Sequence, residues 1–163
     1  MLLHKVIASP VGPLKLVASD YGLKAVLWDG DDPRRVPLGV SREAASAPFL
    51  VQAEVQLDQY FAGERRSFQL PLDVAGTAFQ QAVWRALLDI RYGETRSYED
   101  LARGIGRPNA SRAVGAANGR NPLSIIVPCH RVLGKNGALA GFAGGLRAKS
   151  YLLDLERRCG DSG

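Results

Sequence analysis

Ser97-Tyr98-Glu99-Asp100-Leu101-Ala102-Arg103-Gly104-Ile105-Gly106-Arg107-Pro108, continued by Asn109-Ala110-Ser111-Arg112-Ala113-Val114-Gly115-Ala116-Ala117-Asn118-Gly119, reads as two short helices around a tight turn. Ser97 is a side-chain acceptor placed to cap the first helix, which carries Leu101, Ala102 and Ile105. Gly106-Arg107-Pro108 breaks it, and Asn109 to Ala117 forms the second, closed by Asn118-Gly119. This is the skeleton of a helix-turn-helix. No acidic residue falls between Asp100 and Asp154, whereas Arg103, Arg107, Arg112, Arg120, Arg131, Lys135, Arg147 and Lys149 all do. Such a run suits a polyanion; by itself it also fits a solvated basic face with no partner. A helix-turn-helix inside it favours nucleic acid.

Upstream, Thr77 with Gln80 forms a capping box for a helix whose buried stripe is Phe79, Val83, Leu87 and Ile90. Val74-Ala75-Gly76 is the natural boundary, giving an N-terminal domain over residues 1–75 and a C-terminal domain over 76–163. The first half is balanced, with 8 Lys/Arg against 9 Asp/Glu, and the second is basic, with 13 against 7. Leu2 to Ala8, Leu14 to Ala18 and Ala25 to Trp28 are short β-rich runs separated by turn residues and read as an antiparallel meander. Asp29 to Ala47 is expected to be a loop, an amphipathic helix runs through Phe49, Ala53, Leu57, Tyr60 and Phe61 to Gly63, and Phe68 to Leu72 is expected to be a strand. Downstream, Lys135-Asn136-Gly137 is a turn, 141–145 is a glycine-rich loop, and Leu146 to Arg158 is a closing helix.

At 163 residues, with 46% hydrophobic and 23% charged residues, the chain has the composition of a globular protein of one domain or two small ones. No apolar run approaches the ~18 to 20 residues of a membrane span, and the start lacks the pattern of a signal peptide, so the expected location is the cytoplasm, away from membranes. Cys129 and Cys159 are then expected to be thiols, with Cys159 an exposed bystander in a frayed end.

Chemistry concentrates in Ile125-Ile126-Val127-Pro128-Cys129-His130-Arg131-Val132. Cysteine attacks as the thiolate, and a neighbouring base or positive charge lowers its pKa, so Cys129 flanked by His130 and Arg131 is a candidate nucleophile. Adjacent residues seldom touch, so His130 acts through a bridging water or is simply a hydrogen-bonded structural residue; local chemistry leaves both open. Two Cys and two His without ligand spacing do not make a structural zinc site, and no glycine-rich loop cradles a phosphate, so neither metal nor cofactor is expected.

Pro128-Cys129-His130-Arg131, preceded by Asn121-Pro122 and by Arg112-Ala113-Val114-Gly115-Ala116-Ala117-Asn118, resembles the signature of the O6-alkylguanine-DNA alkyltransferases. The resemblance runs from Phe79-Gln80-Gln81-Ala82-Val83-Trp84 through Glu156 and is looser in the first half. It implies an α/β ribonuclease-H-like N-terminal domain and a mainly α, winged-helix-type C-terminal domain. It also implies direct repair of O6-alkylguanine, and of O4-methylthymine as a further substrate, by a single irreversible alkyl transfer to Cys129 after the nucleotide is flipped out. His130 would deprotonate Cys129 through water, Glu156 would orient the imidazole, Asn121 would brace the active-site segment, and Tyr98 would press on the 3′ phosphate and donate a hydrogen bond to the departing guanine. Arg112 would enter the base stack from the minor groove, with Ala113, Gly115 and Arg131 also against DNA. Main-chain groups of Cys129 and Val132 would read the guanine amine, with Phe142 lining the pocket and the Ala143 amide bonding O6. Phe142 stands where many relatives carry Tyr, Ala143 where some carry Ser, and Ser124 where some carry Pro. The expected partner is double-stranded alkylated DNA, and the expected state is a monomer, with cooperative loading along DNA as a further expectation. The alternatives are a non-catalytic lesion sensor, a helix-turn-helix regulator and an unrelated Cys hydrolase.

Overall fold

The computed structural model describes residues 1–139 and 141–160. The chain divides into two compact units, Met1–Val74 and Ala75–Gly163.

In the first unit, β1 (Leu2–Ile7), β2 (Leu14–Ala18), β3 (Leu23–Trp28) and β4 (Ser41–Glu43) form one sheet in the order β3-β2-β1-β4. β1 and β2 pair antiparallel with Val6 opposite Lys15, and β2 and β3 pair antiparallel with Leu16 opposite Val26. This is the meander read from the sequence, with β3 starting earlier, at Leu23. β4 falls inside the expected loop and joins β1 in parallel, with Leu3 opposite Arg42. Helix α1 (Pro48–Phe61) starts on a proline, which lacks only an N–H that no helix start can use, and packs Leu50, Ala53, Leu57 and Tyr60 onto the sheet. Each of those side chains is fully buried, and such burial stabilises by about 1.5–3 kcal/mol for a leucine. The expected strand at Phe68 to Leu72 is absent: the segment makes a single bridge, Leu23 to Leu72, and its Gln69 backbone is satisfied at both N–H and C=O by the Gln56 side chain. A side chain therefore replaces the sheet ladder there.

In the second unit, α2 (Ala78–Leu88) opens with the Thr77/Gln80 capping box in both directions, and buries Val83, Trp84 and Leu87. α3 (Tyr98–Gly104) opens with a second capping box, Ser97 with Asp100, and α4 (Ser111–Gly119) packs against both α2 and α3. α4 begins two residues later than expected and includes Asn118 and Gly119, because Asn118 turns inward and is buried rather than ending the helix. The Trp84 indole N–H donates to Ala117 O at 2.9 Å inside the protein and ties α2 to α4. A two-residue parallel ladder, β5 (Arg96–Ser97) with β6 (Val132–Leu133), was not foreseen. Helix α5 (Leu146–Gly160) closes the unit.

Gly76 is a position where only hydrogen fits: a Cβ there would stand 2.7 Å from two carbons of the Trp84 ring and 2.9 Å from Gln80 Oε1. The ring is buried and held by its own hydrogen bond, so it cannot yield. Gly76→Ala is expected to lower stability by roughly 1–3 kcal/mol, read as a lower denaturant midpoint with an unchanged slope.

Candidate active site

Residues 121–132 are buried without interruption, an unusual condition for a connecting segment, whose backbone groups then need partners inside the protein. Asn121 supplies two of them: its Nδ2 donates to Val127 O at 2.8 Å and its Oδ1 accepts from Leu123 N at 3.0 Å. Val127 N donates to Leu123 O at 2.9 Å. The loop so closed holds Ile125 at φ 75°, a left-handed conformation rare for a β-branched residue and sustained here by these surrounding bonds. The Asn121 side chain thus spans the loop from Leu123 to Val127.

The loop delivers a short 3-10 turn, Cys129–Arg131, behind Pro128. Cys129 is buried, its N–H donates to Val127 O at 2.7 Å, and its carbonyl lies 3.5 Å from the Asn118 amide nitrogen. Tyr98 and Lys149 are both near enough to feel charge on the thiol. Burial raises the Tyr98 hydroxyl above its usual pKa, negative charge on Cys129 raises it further, and a hydrogen bond with Asn118 opposes both. Lys149 is fully buried and donates to Val132 O at 2.6 Å; burial lowers its pKa, and Cys129 pulls it back up.

His130 Nε2 lies 2.6 Å from Glu156 Oε2 in a fully buried pair. Burial on its own raises the Glu156 carboxyl, but hydrogen bonds from His130 and Arg131 and the charge of Arg131 reverse this and hold it well below the usual carboxylate range. An ionised carboxylate only accepts, so Nε2 carries the hydrogen and Nδ1 keeps its lone pair. Nδ1 is buried and has no hydrogen-bond partner among the described residues. Burial also holds His130 below its usual pKa, against the pull of Glu156, so the ring is a neutral base.

The remaining residues singled out in the sequence fall into two sets. Arg112 and Ala113 are exposed on α4, and Gly115 lies against the Tyr98 ring, where even a Cβ would have 3.8 Å of clearance. Arg112, Gly115 and Tyr98 line a cleft of about 460 Å³ with Ser97, Lys135 and Asn136. Val132 is buried with its carbonyl already accepting from Lys149, and Phe142 and Ala143 lie in the loop entering α5, where Gly145 N donates to Phe142 O. Arg131 corrects the expectation of a DNA contact: it is buried, and its guanidinium is committed to both oxygens of Glu156 and to Ile90 O. Cys159 is half-buried in the last turn of α5, not in a frayed end; residues 161–163 lie outside the described part. Lys149 and Asn118 were missed. Their signal was present for Lys149, since Lys149, Leu152 and Glu156 are spaced to share one face of a helix and all three are buried.

Residues 2–74 match the family model for the 6-O-methylguanine DNA methyltransferase ribonuclease-like domain, and residues 78–158 match that for the 6-O-methylguanine DNA methyltransferase DNA binding domain. The chain belongs to this methyltransferase family. Its α/β first unit is the ribonuclease-like domain and its helical second unit the DNA-binding domain. The methylated-DNA–protein-cysteine methyltransferase of Methanosarcina acetivorans is 48% identical over 157 residues, 96% of this chain and 99% of that protein. The constitutive enzyme of that name from Bacillus subtilis is 57% identical over 116 residues, 71% of this chain and 70% of that one. The crystal structure of Mycobacterium tuberculosis OGT in complex with DNA superposes with a TM-score of 0.88 at 45% identity, covering 96% of this chain and 94% of that one. No helix among the described residues is long and apolar enough to cross a membrane.

Proposed function

We propose that this methyltransferase repairs DNA by moving the alkyl group from O6 of guanine onto Cys129 in one irreversible step. Membership of the family makes it a methylated-DNA–protein-cysteine methyltransferase that binds DNA; the residue roles are our reading. The observation that carries it is the buried pair His130–Glu156 beside Cys129, which leaves Nδ1 as the basic nitrogen. A buried polar atom of this kind suits a bridging water, and through it the Cys129 proton passes to Nδ1. The thiolate is steadied by Lys149 and by the imidazolium that forms. Its lone pair attacks the alkyl carbon, an S–C bond forms as the C–O bond breaks, and the O6 electron pair is protonated by Tyr98 as guanine departs. A thioether has no good leaving group, so the protein reacts once.

The alkylated oxygen is stacked inside a duplex, so the nucleotide is flipped out, at a lower unpairing cost for a damaged base. In this reading α4 enters the minor groove, whose degenerate edges suit a protein that reads lesions rather than sequence. Arg112 fills the vacated stack, Asn121 braces the loop, and main-chain groups of Cys129, Val132 and Ala143 face the base beside Phe142. The protein acts as a monomer that can load cooperatively, and O4-methylthymine is a second substrate. The domain boundary proposed for this division of labour lies at residues 75–76.

The test is intact and peptide mass after mixing with an equal amount of duplex carrying O6-methylguanine. One methyl gained on Cys129 supports the reading; tight binding without mass gain favours a lesion sensor. Arg112→Ala is expected to slow transfer from duplex about 10-fold or more, with a smaller loss on the free alkylated base. If Arg112 enters the stack, the salt slope of binding changes little, whereas loss of a phosphate contact lowers it by about one.

A further inference from the structure

We propose that Arg131 is a positioning residue for Cys129 chemistry: it holds the Glu156 carboxylate in the orientation that accepts from His130 Nε2, and so leaves Nδ1 to take the proton. The inference rests on the alkyl-transfer reading above and adds to it the part that fixes the base.

Arg131 Nε donates to Glu156 Oε1 at 2.7 Å and Nη2 to Oε2 at 3.0 Å, a two-point grip, while Nη1 donates to Ile90 O at 2.7 Å. Gly93 N adds a donor to Oε1 at 3.3 Å, and His130 adds one to Oε2. Both oxygens thus carry two donors each, which fills a carboxylate's acceptor capacity. A carboxylate so held can neither rotate nor offer its lone pairs elsewhere, and the Nε2–H tautomer follows. The planar fork of arginine makes this grip possible; a lysine ammonium offers the charge from one point only.

Charge points the same way. With His130 neutral, Glu156 and Arg131 cancel, so transfer of the Cys129 proton leaves one net positive charge beside the thiolate. Without Arg131 the resting cluster carries a buried negative charge, which opposes the thiolate and strengthens the hold of His130 on a proton. The charged groups bearing on His130 are Glu156 and Lys149 from α5 and Arg131 from its own turn, and Tyr98 from α3 bears on Cys129. Burial does most to hold the imidazole below its usual pKa; Glu156 opposes this, and Arg131 and Lys149 reinforce it.

The test uses the full chain as wild type, Arg131→Met and Arg131→Lys, with single-turnover transfer from an O6-methylguanine duplex followed against pH. Ring-nitrogen resonances of ¹⁵N-histidine report the tautomer in the same samples. In Arg131→Met the acid limb of the rate profile should move up by about one pH unit. In Arg131→Lys the limb should stay near that of wild type while the plateau falls about 10-fold and the Nε2–H signature gives way to a mixture. An unmoved limb in Arg131→Met with an intact Nε2–H signature would overturn the proposal. If circular dichroism shows Arg131→Met unfolded, Arg131→Lys decides, and a wild-type plateau with an unchanged tautomer overturns it equally. Should wild type transfer no methyl to Cys129, the alkyl-transfer reading fails, and the tautomer comparison still decides whether Arg131 holds Glu156.

Discussion

Cys129→Ser is expected to abolish alkyl transfer, by roughly 10⁴-fold or more, while the protein still binds a duplex carrying O6-methylguanine. A hydroxyl in place of the thiol keeps nearly the same volume in a buried turn whose backbone bonds, Cys129 N to Val127 O and Asn118 to Cys129 O, do not involve the side chain. The fold should therefore stand. What is lost is the thiolate, for which neither Lys149 nor His130 can compensate, since a serine hydroxyl is a far weaker acid. Intact mass reads the transfer and fluorescence anisotropy the binding. Methyl gain elsewhere in the variant, at Cys159 for instance, would remove Cys129 from its role; loss of binding in a folded variant would mean that the thiol itself contributes to recognition.

The second large effect belongs to Glu156→Gln. The amide keeps the shape but cannot satisfy His130 and the Arg131 fork together, and it leaves a guanidinium buried without its counter-charge. Breaking such a pair costs about 3–5 kcal/mol, so the melting temperature of the variant should fall by on the order of 10 °C. The pH dependence has a definite sign. The folded pKa of Glu156 is depressed, so its stabilisation is complete above its ordinary value near 4.5 and is lost as pH falls toward the folded one. His130 is depressed as well, so the unfolded chain takes up a proton first as pH drops through its ordinary value of 6.5, and stability declines there too. Wild type should lose stability in both ranges, and Glu156→Gln should lose the lower of the two. Denaturant midpoints measured from pH 7 to pH 3 test this; parallel curves for the two proteins would show that Glu156 is not held as an ion.

Much of this was legible in the sequence because it is local. The meander strands, both helix starts at Thr77 and Ser97, and the Pro128-Cys129-His130-Arg131 turn each rest on neighbours within a few residues. β4 was hidden because three residues pair in parallel with a strand far back in the chain, which no local periodicity reports. The supposed strand at Phe68 to Leu72 failed for the converse reason: Gln56, on α1, takes the backbone bonds a ladder would have made. In the site, the acid-free run from Leu101 to Leu153 reads as surface cations, yet Arg131 and Lys149 are interior. Their counter-groups, the Glu156 carboxylate and the Val132 carbonyl, are supplied by the fold rather than by sequence neighbours, so charge counting alone could not separate them from Arg112, which is exposed.

The hydrogen bond from the Trp84 indole to Ala117 O has a use beyond packing. The chain contains only two tryptophans, Trp28 in the first unit and Trp84 in the second, and both are buried. Each unit therefore carries one indole, and that of Trp84 is hydrogen-bonded to the backbone of α4. Replacing Trp28 by phenylalanine leaves Trp84, on α2 and bonded to α4, as the one indole, so the response of that α2–α4 contact to a lesion duplex, or to a methyl on Cys129, can be followed in real time without any label attached to the protein.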